Sequence, residues 1–296
     1  MQRERWLVTG ASGQLGSHVV RQLAADSAVG QIVALSGRGE TGTPGVAVRH
    51  VDLRDLGALR AAVRDARPTH IMHLGAMTAV ADCYADPAGA ALANVRATEV
   101  LAEAAAQCGA RLVFSSTDMV FDGSSPPYRE DSPTCPLSTY GRTKVRAEQA
   151  LAERPQALVV RIPLMYGFAL NGRRTTFAQQ MEALRAGRPL KLFVDEFRTV
   201  VWLADAAKAL IGLARGEACG LLHIAGPERL SRLELVRHSA ALLGLSDAHL
   251  EPISRLDAAG PEPRPADLSL DGSRFASCYP ALVPGPLRAE ALYEPN

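Results

Sequence analysis

The stretch "TGASGQLGSHVV", residues 9–20, follows the short apolar run "RWLV" and leads into residues with helical spacing. Gly10, Gly13 and Gly16 stand in a G-x-x-G-x-x-G frame. A glycine directly after a strand permits positive φ at the turn, a second lets backbone approach a pyrophosphate, and a third lets the helix pack closely on the strand. A helix beginning near Gly13 would aim its free N–H groups and the positive end of its dipole at the phosphates. Strand, glycine turn and helix at the head of the chain predict a dinucleotide-binding βαβ unit.

The pattern repeats. Apolar runs rich in Val, Ile and Leu recur at "QIVALSG" (31–37), "VAVRHVD" (46–52), "HIMHLGA" (70–76), "RLVFSS" (111–116) and "ALVVRIP" (157–163). Between them lie stretches long enough for helices, such as "DLGALRAAVRDA" (55–66) and "DPAGAALANVRATEVLAEAAAQCG" (86–109). Such alternation predicts the α/β class: a Rossmann-type, doubly wound parallel sheet of six or seven strands, covered on both faces. Residues 1–163 are assigned to this dinucleotide-binding domain. Beyond Pro163 the regularity fades, and residues 164–296 are expected to form a smaller C-terminal substrate-binding region, interleaved with the first. From Ser254 the chain is rich in proline, so loops are expected around one short helix near "DGSRFASCY" (271–279).

Cofactor choice turns on the end of the second strand, where a carboxylate would bond the ribose 2′-hydroxyl. Here the strand ends in Ser36, Gly37 and Arg38, and the first acid, Glu40, comes later. An arginine there can pair with a 2′-phosphate, so NADP(H) is favoured over NAD(H). Asp52, after the third run, is expected either to reach the adenine amino group or to cap the next helix.

In "STYGRTK", residues 138–144, Tyr140 and Lys144 lie four apart and would share a helix face. An ammonium beside a phenol favours the phenolate and lowers its pKa from about 10. Thr117, just past the fifth strand, lies at the carboxyl edge of an open α/β sheet, where ligands bind.

A Ser/Thr, a Tyr-x-x-x-Lys and an amino-terminal T-G-x-x-G-x-x-G, in this order, resemble the extended branch of the short-chain dehydrogenase/reductase superfamily, which acts on nucleotide sugars. Within it, "GASGQLG", "TAV" (78–80), "SSTDMVFDG" (115–123), "STYGRTKVRAEQAL" and "RPADLSLDGSR" (264–274) look like the dTDP-4-dehydrorhamnose reductase family. The likeness has gaps: Ala81 and Tyr84 stand where that family has acidic residues, and "DEFRTVV" (195–201) replaces its DQ-x-G-x-P-T with Arg198 and Thr199. The regulatory subunits of methionine adenosyltransferase are similar in places, including "RIPLMYG" (161–167).

The resemblance implies hydride delivery to a ketone, with Tyr140 giving the proton, Lys144 holding the nicotinamide ribose and steadying the tyrosinate, and Thr117 polarising the carbonyl. It extends the cofactor site to Ser12, Gln14 and Leu15 in the glycine loop, to Leu53, to Leu74, Gly75 and Ala76, and to Pro163. On the substrate side it adds Thr78 and Asp118, and places Asn94 on a helix beside the site. Arg198 and Arg264 are candidates on chemistry, because guanidinium groups match a diphosphate. Dehydratases of the branch need an acid and base after the threonine; Met119 cannot transfer a proton, so elimination is disfavoured.

Lys plus Arg is 32 against 31 for Asp plus Glu, which offers no footprint for nucleic acid or an anionic membrane. No run of about 18 apolar residues occurs, and the start lacks a signal-type apolar region, so a cytoplasmic protein is expected. The five cysteines form no metal-type spacing and are read as reduced thiols in packed or partly buried places, and no histidine has a partner at ligand spacing, so no metal site is expected. The resemblance adds a possible homodimer. Two other functions stay open: a nucleotide-sugar epimerase of the same branch, and a non-catalytic NADP-binding regulatory subunit.

Overall fold

Apolar residues fill both alternating sets of positions in the first strands, so both faces of the sheet must be covered. The computed structural model describes residues 3–294. Strands β1 (Glu4–Thr9), β2 (Val29–Ser36), β3 (Val48–His50), β4 (His70–His73), β5 (Arg111–Thr117) and β6 (Ala157–Ile162) alternate with helices α1 (Gln14–Ala24), α2 (Leu56–Ala66), α3 (Val80–Ala85), α4 (Pro87–Ala91), α5 (Ala97–Cys108) and α6 (Thr139–Leu151). The later chain forms β7 (Met165–Tyr166), α7 (Thr176–Arg185), β8 (Leu190–Phe193), β9 (Phe197–Thr199), β10 (Val201–Trp202), α8 (Leu203–Arg215), β11 (Gly220–His223), β12 (Arg229–Ser231), α9 (Arg232–Leu243), β13 (Leu250–Ile253) and α10 (Ser273–Cys278).

Seven strands make one parallel sheet in the order β3-β2-β1-β4-β5-β6-β11, as the Rossmann expectation requires. Its order reverses between β1 and β4, the switch point where an open α/β sheet takes its ligand. Period-two alternation divides the core. Trp6 and Val8 face one side with Leu15, Val19, Leu203 and Leu210 of α1 and α8. Leu7 faces the other with Leu59, Val63, Leu101 and Leu151 of α2, α5 and α6. A third cluster, including Tyr166, Phe177, Met181, Leu192 and Val236, underlies the C-terminal half.

Two features differ from the sequence expectation, the course of one helix and the burial of the cysteines, and a third shows where the two halves meet. The helix predicted across residues 86–109 is broken by a π-turn at Leu92–Arg96, where Asn94 turns inward. β11 and α8, from the second half, join the main sheet and its core. Cys83 is buried, but Cys108, Cys135, Cys219 and Cys278 are exposed, because these four sit at element ends or in loops rather than on apolar faces. Among the described residues, no helix is long and apolar enough to cross a membrane.

Gly10 turns the chain out of β1 with φ +66°, and a Cβ there would lie 2.6 Å from the backbone nitrogen of Gly75. Left-handed backbone costs a side chain about 1–2 kcal/mol and overpacking about 1–3 kcal/mol more. Gly37, by contrast, is exposed with open space around it. In urea unfolding, Gly10→Ala is expected to lose about 2–4 kcal/mol, and Gly37→Ala less than about 0.5 kcal/mol.

Candidate active site

Gly13 is the N-cap of α1, and no side chain caps that end. Gln14, Leu15 and Gly16 open the helix, where first-turn N–H groups have no intrahelical partner and an anion is welcome. The opposite wall is the loop after β4. There Gly75 N–H donates to Thr9 Oγ1 (3.1 Å), Leu74 N–H to Thr9 O (3.3 Å), and Leu53 packs beside Gly75, with Ala76 following. Backbone donors facing a glycine-lined cradle fit a pyrophosphate. Ser12 Oγ bonds Ser36 Oγ (2.6 Å) and donates to Arg38 O (3.1 Å), which holds the end of β2 against the glycine loop and leaves the Arg38 side chain exposed.

Asp52 is exposed and bonded to Arg54, at 2.7 Å in its shortest contact, and this pairing holds its carboxyl below the usual range, with Arg38 contributing last. It does not cap α2; Asp55 does, accepting from Ala58 N–H at 2.9 Å. Pro163 is buried immediately after β6. Sequence reasoning missed Asn171, whose Nδ2 donates to Ser12 O (2.9 Å) and Glu40 O (2.7 Å), strapping the loop after β7 across the cradle.

Ser138 caps α6 by accepting from Gly141 N–H (3.1 Å). A Cβ on Gly141 would lie 2.3 Å from Met119 O, so the glycine lets α6 settle on the turn after β5. Tyr140 is thereby brought close enough to Thr117 for that hydroxyl to act on its pKa. Burial pushes the Tyr140 phenol up, the charges of Asp118 and Cys83 push the same way, and Thr117 opposes them. Lys144 is buried; its Nζ donates to Ser115 O (2.6 Å) and lies 3.9 Å from the Phe114 ring centroid. Burial brings its pKa down to about 7, against the pull of Glu148.

The expected lowering of the phenol by its lysine is therefore not found. The ammonium is spent on a main-chain carbonyl, and the charge that acts on the phenol is the negative one of Asp118.

A chain of buried hydrogen bonds supports these groups. Thr98 Oγ1 donates to Asn94 O (2.7 Å), so it accepts from His73 Nε2–H (3.0 Å). His73 Nδ1 then accepts from Thr9 Oγ1 (2.7 Å). Burial pushes His73 down to about 3, so the ring is neutral. Asn94 Nδ2 donates to Thr143 Oγ1 (2.9 Å) and to Met77 O (2.9 Å), while its Oδ1 accepts Met77 N–H (2.7 Å). Thr143 in turn donates to Tyr140 O (2.7 Å).

Arginines gather on the C-terminal side. Arg198 Nε lies 3.1 Å from Asp118 Oδ2, both buried; Glu196, also buried, pairs with Arg264 (2.5 Å) and Arg232 (3.4 Å). Arg198 and Asp118 are close enough to Arg232 to act on its pKa, which burial pushes down. Arg198, Arg264 and Asp118 are thus brought together. Thr78 is not in this network; it is exposed just before α3. Arg232 and Glu196 were missed. Only the Ser231–Glu234 capping box, which fixes the start of α9, marked Arg232's place.

With this geometry established, comparison with known proteins is informative. The RmlD substrate binding domain model matches residues 4–283. The chain belongs to this family. A Streptomyces griseus protein named dTDP-4-dehydrorhamnose reductase is 35% identical over 92% of this chain and 87% of its own. Methionine adenosyltransferase 2 subunit beta of Xenopus tropicalis is 32% identical over 92% of this chain and 81% of its own. Among solved structures, Bacillus anthracis dTDP-4-dehydrorhamnose reductase in complex with NADP shares the fold, with TM-score 0.83 at 23% identity, covering 98% of each chain. The RmlD-family match thus spans both the sheet and the arginine-bearing half.

Lys144 titrates near 7 in the folded chain and near 10.4 when unfolded. Between those values the unfolded chain keeps a proton that the folded chain has released, so stability rises with pH across that window. Urea unfolding at several pH values is expected to show this rise in the wild type and a flatter profile in Lys144→Met.

Proposed function

We propose that the protein is an NADP-dependent reductase of a 4-keto nucleotide sugar, with Tyr140 as proton donor. The observation that carries this reading is buried Lys144, bonded to Ser115 O with Tyr140 one turn before it on α6, at the sheet edge that ends in Thr117 beside a phosphate cradle. The relatives' names, as dTDP-sugar reductases, agree with it.

Gly10, Ser12, Gly13, Gln14, Leu15 and Gly16 would hold the pyrophosphate, and Ser36 and Arg38 a 2′-phosphate. Leu53, Leu74, Gly75, Ala76 and Pro163 would flank the rings. The bound dinucleotide supplies hydride from its reduced nicotinamide. What the chain supplies is the proton and its control. A phenol pushed up by burial stays protonated through neutral pH, which suits a donor rather than a base. Lys144, as ammonium, would meet the ribose hydroxyls and lower the cost of the tyrosinate left behind. Met119, beside Asp118, has no proton to move, which separates this site from elimination chemistry.

In the arginine network three guanidinium groups face two carboxylates, which leaves one positive charge. Arg264, half exposed, and Arg232 are placed to meet a diphosphate, while Arg198 is committed to Asp118.

The likeness to methionine adenosyltransferase 2 subunit beta supports a second reading, a regulatory subunit that binds dinucleotide without turnover. The two part in one assay. Purified protein with NADPH and dTDP-4-dehydrorhamnose should consume NADPH absorbance; under the second reading NADPH binds and nothing is consumed. Tyr140→Phe should lose about 10²–10⁴-fold in turnover while binding NADPH unchanged. Arg38→Ala should weaken NADPH in a fluorescence titration and leave NADH as it was. Reduction needs the Lys144 ammonium and the Tyr140 phenol, both protonated forms, so kcat/KM should fall as pH rises through the Lys144 pKa, near 7 in the free protein.

A further inference from the structure

Residues 37–47, between β2 and β3, include Arg38 and four glycines, Gly37, Gly39, Gly42 and Gly45, and belong to no helix or strand. Such a loop has much conformational freedom to lose. The Arg38 guanidinium is exposed, so where it stands depends on what holds its backbone. Three alternate carbonyls of the loop are held from outside it. Ser12 Oγ donates to Arg38 O (3.1 Å), Asn171 Nδ2 to Glu40 O (2.7 Å) and Arg21 Nη2 to Gly42 O (2.9 Å). Ser12 and Arg21 belong to the glycine loop and α1, whereas Asn171 comes from the C-terminal half, between β7 and α7.

A side-chain amide suits that place. Asn171 Oδ1 accepts Arg173 N–H (3.2 Å), which settles the orientation of the amide, and the two protons of Nδ2 go to Glu40 O and to Ser12 O (2.9 Å). One side chain therefore ties the loop after β2 to the glycine loop. The backbone that carries it is itself anchored on α1: Ser17 Oγ accepts Leu170 N–H (3.1 Å), and His18 Nε2–H donates to Phe168 O (2.8 Å). Close packing completes the seam, since a Cβ on Gly42 would lie 2.4 Å from Leu170 O and 2.6 Å from Asn171 Cα.

We propose that Asn171 is a positioning residue for cofactor choice: by pinning Glu40 O it holds Arg38 where the 2′-phosphate of NADP(H) would meet it, so the C-terminal half takes part in selecting the dinucleotide. This rests on the reading of Arg38 as the 2′-phosphate partner, and not on turnover. A loop already ordered has little freedom left to lose when the phosphate arrives, and its guanidinium binds the more tightly for it. NADH carries no 2′-phosphate and gains nothing from the same order. Asn171 thus acts through Arg38, and its effect is confined to the dinucleotide that Arg38 can recognise.

The test titrates the purified full chain with NADPH and with NADH, following nicotinamide fluorescence without substrate. Asn171→Ala should weaken NADPH about tenfold and NADH less than about twofold. Asn171→Leu, which fills the same space without a donor, should do the same, and it replaces the alanine variant if thermal melts show that one unfolded. The double variant with Arg38→Ala should bind NADPH no more weakly than Arg38→Ala alone, because without the guanidinium nothing is left to position. Equal weakening of the two dinucleotides by Asn171→Ala, or losses that add in the double variant, would show Asn171 shaping the whole cradle, and overturns the proposal with the reading of Arg38 intact. NADPH binding unmoved by Asn171→Ala while Arg38→Ala weakens it overturns the proposal in the same way. If Arg38→Ala leaves NADPH binding unchanged, the reading of Arg38 itself falls and the proposal falls with it.

Discussion

Polar side chains buried beneath the carboxyl edge of the sheet must each find a partner, and the partners available fix where Tyr140 and Lys144 stand. An unpaired buried donor or acceptor costs about 1–3 kcal/mol, so the run from Thr9 through His73, Thr98, Asn94 and Thr143 to the Tyr140 carbonyl is close to all-or-none. It crosses from β1, which ends at the glycine loop, to α6, which carries the tyrosine. The π-turn at Leu92–Arg96 belongs to the same constraint: a regular helix would not leave Asn94 turned inward, with its amide matched to both Met77 main-chain groups. The strand that ends at the glycine turn and the helix that carries Tyr140 are therefore held by one network rather than by two separate local structures.

The C-terminal half does more than cover the sheet. Glu262, from the proline-rich tail, accepts at one oxygen from Thr139 N–H (2.6 Å), Thr139 Oγ1 (2.8 Å) and Arg142 Nη2 (2.9 Å), so it completes the start of α6 next to Tyr140. Arg198 reaches in from β9 to Asp118, next to Thr117. Charge buried at such a junction is costly unless matched, so these two contacts resist any slippage of the two halves against each other. The arrangement of residues 203–223 agrees with this. They close the main sheet and its core, so the chain does not divide cleanly at Pro163.

Most of the fold was legible because period and punctuation are local. The strand-and-helix alternation, the Gly10–Gly16 frame and the place of α10 could all be read from neighbours in sequence. Thr117, Tyr140 and Lys144 were legible for a related reason: two share a helix turn and the third follows a recognisable strand. What could not be read is what the charges do once buried. Nothing near Tyr140 in sequence says that burial, and after it Asp118, sets the direction of its pKa rather than Lys144, because that depends on what covers the phenol and on which way an ammonium turns among Ser115, Phe114 and Glu148. Asp52 does not cap α2, since Arg54, two residues away, holds its carboxylate and Asp55 takes the cap. Arg232 and Glu196 were invisible for the plainer reason that their partners, Arg198, Asp118 and Arg264, lie on other elements.

Lys144 bears most directly on whether this architecture performs chemistry or only binds. Removing its ammonium from water is costly enough to bring its pKa down to about 7, and what it receives is one carbonyl and an aromatic face. Glu148, one turn further, does not repay that cost in full, because it is already engaged by Arg161 Nη2 (2.7 Å) and Nε (3.0 Å) and by Ser116 Oγ (2.5 Å). An apolar side chain would fill the same space without desolvation, and replacing buried charge in this way is often neutral or stabilising. Fold stability therefore gives no reason for an amine at this position. Under the reductase reading, a cation within one helix turn of the Tyr140 phenol is accounted for by a charge that would appear there transiently, the tyrosinate left when Tyr140 gives up its proton.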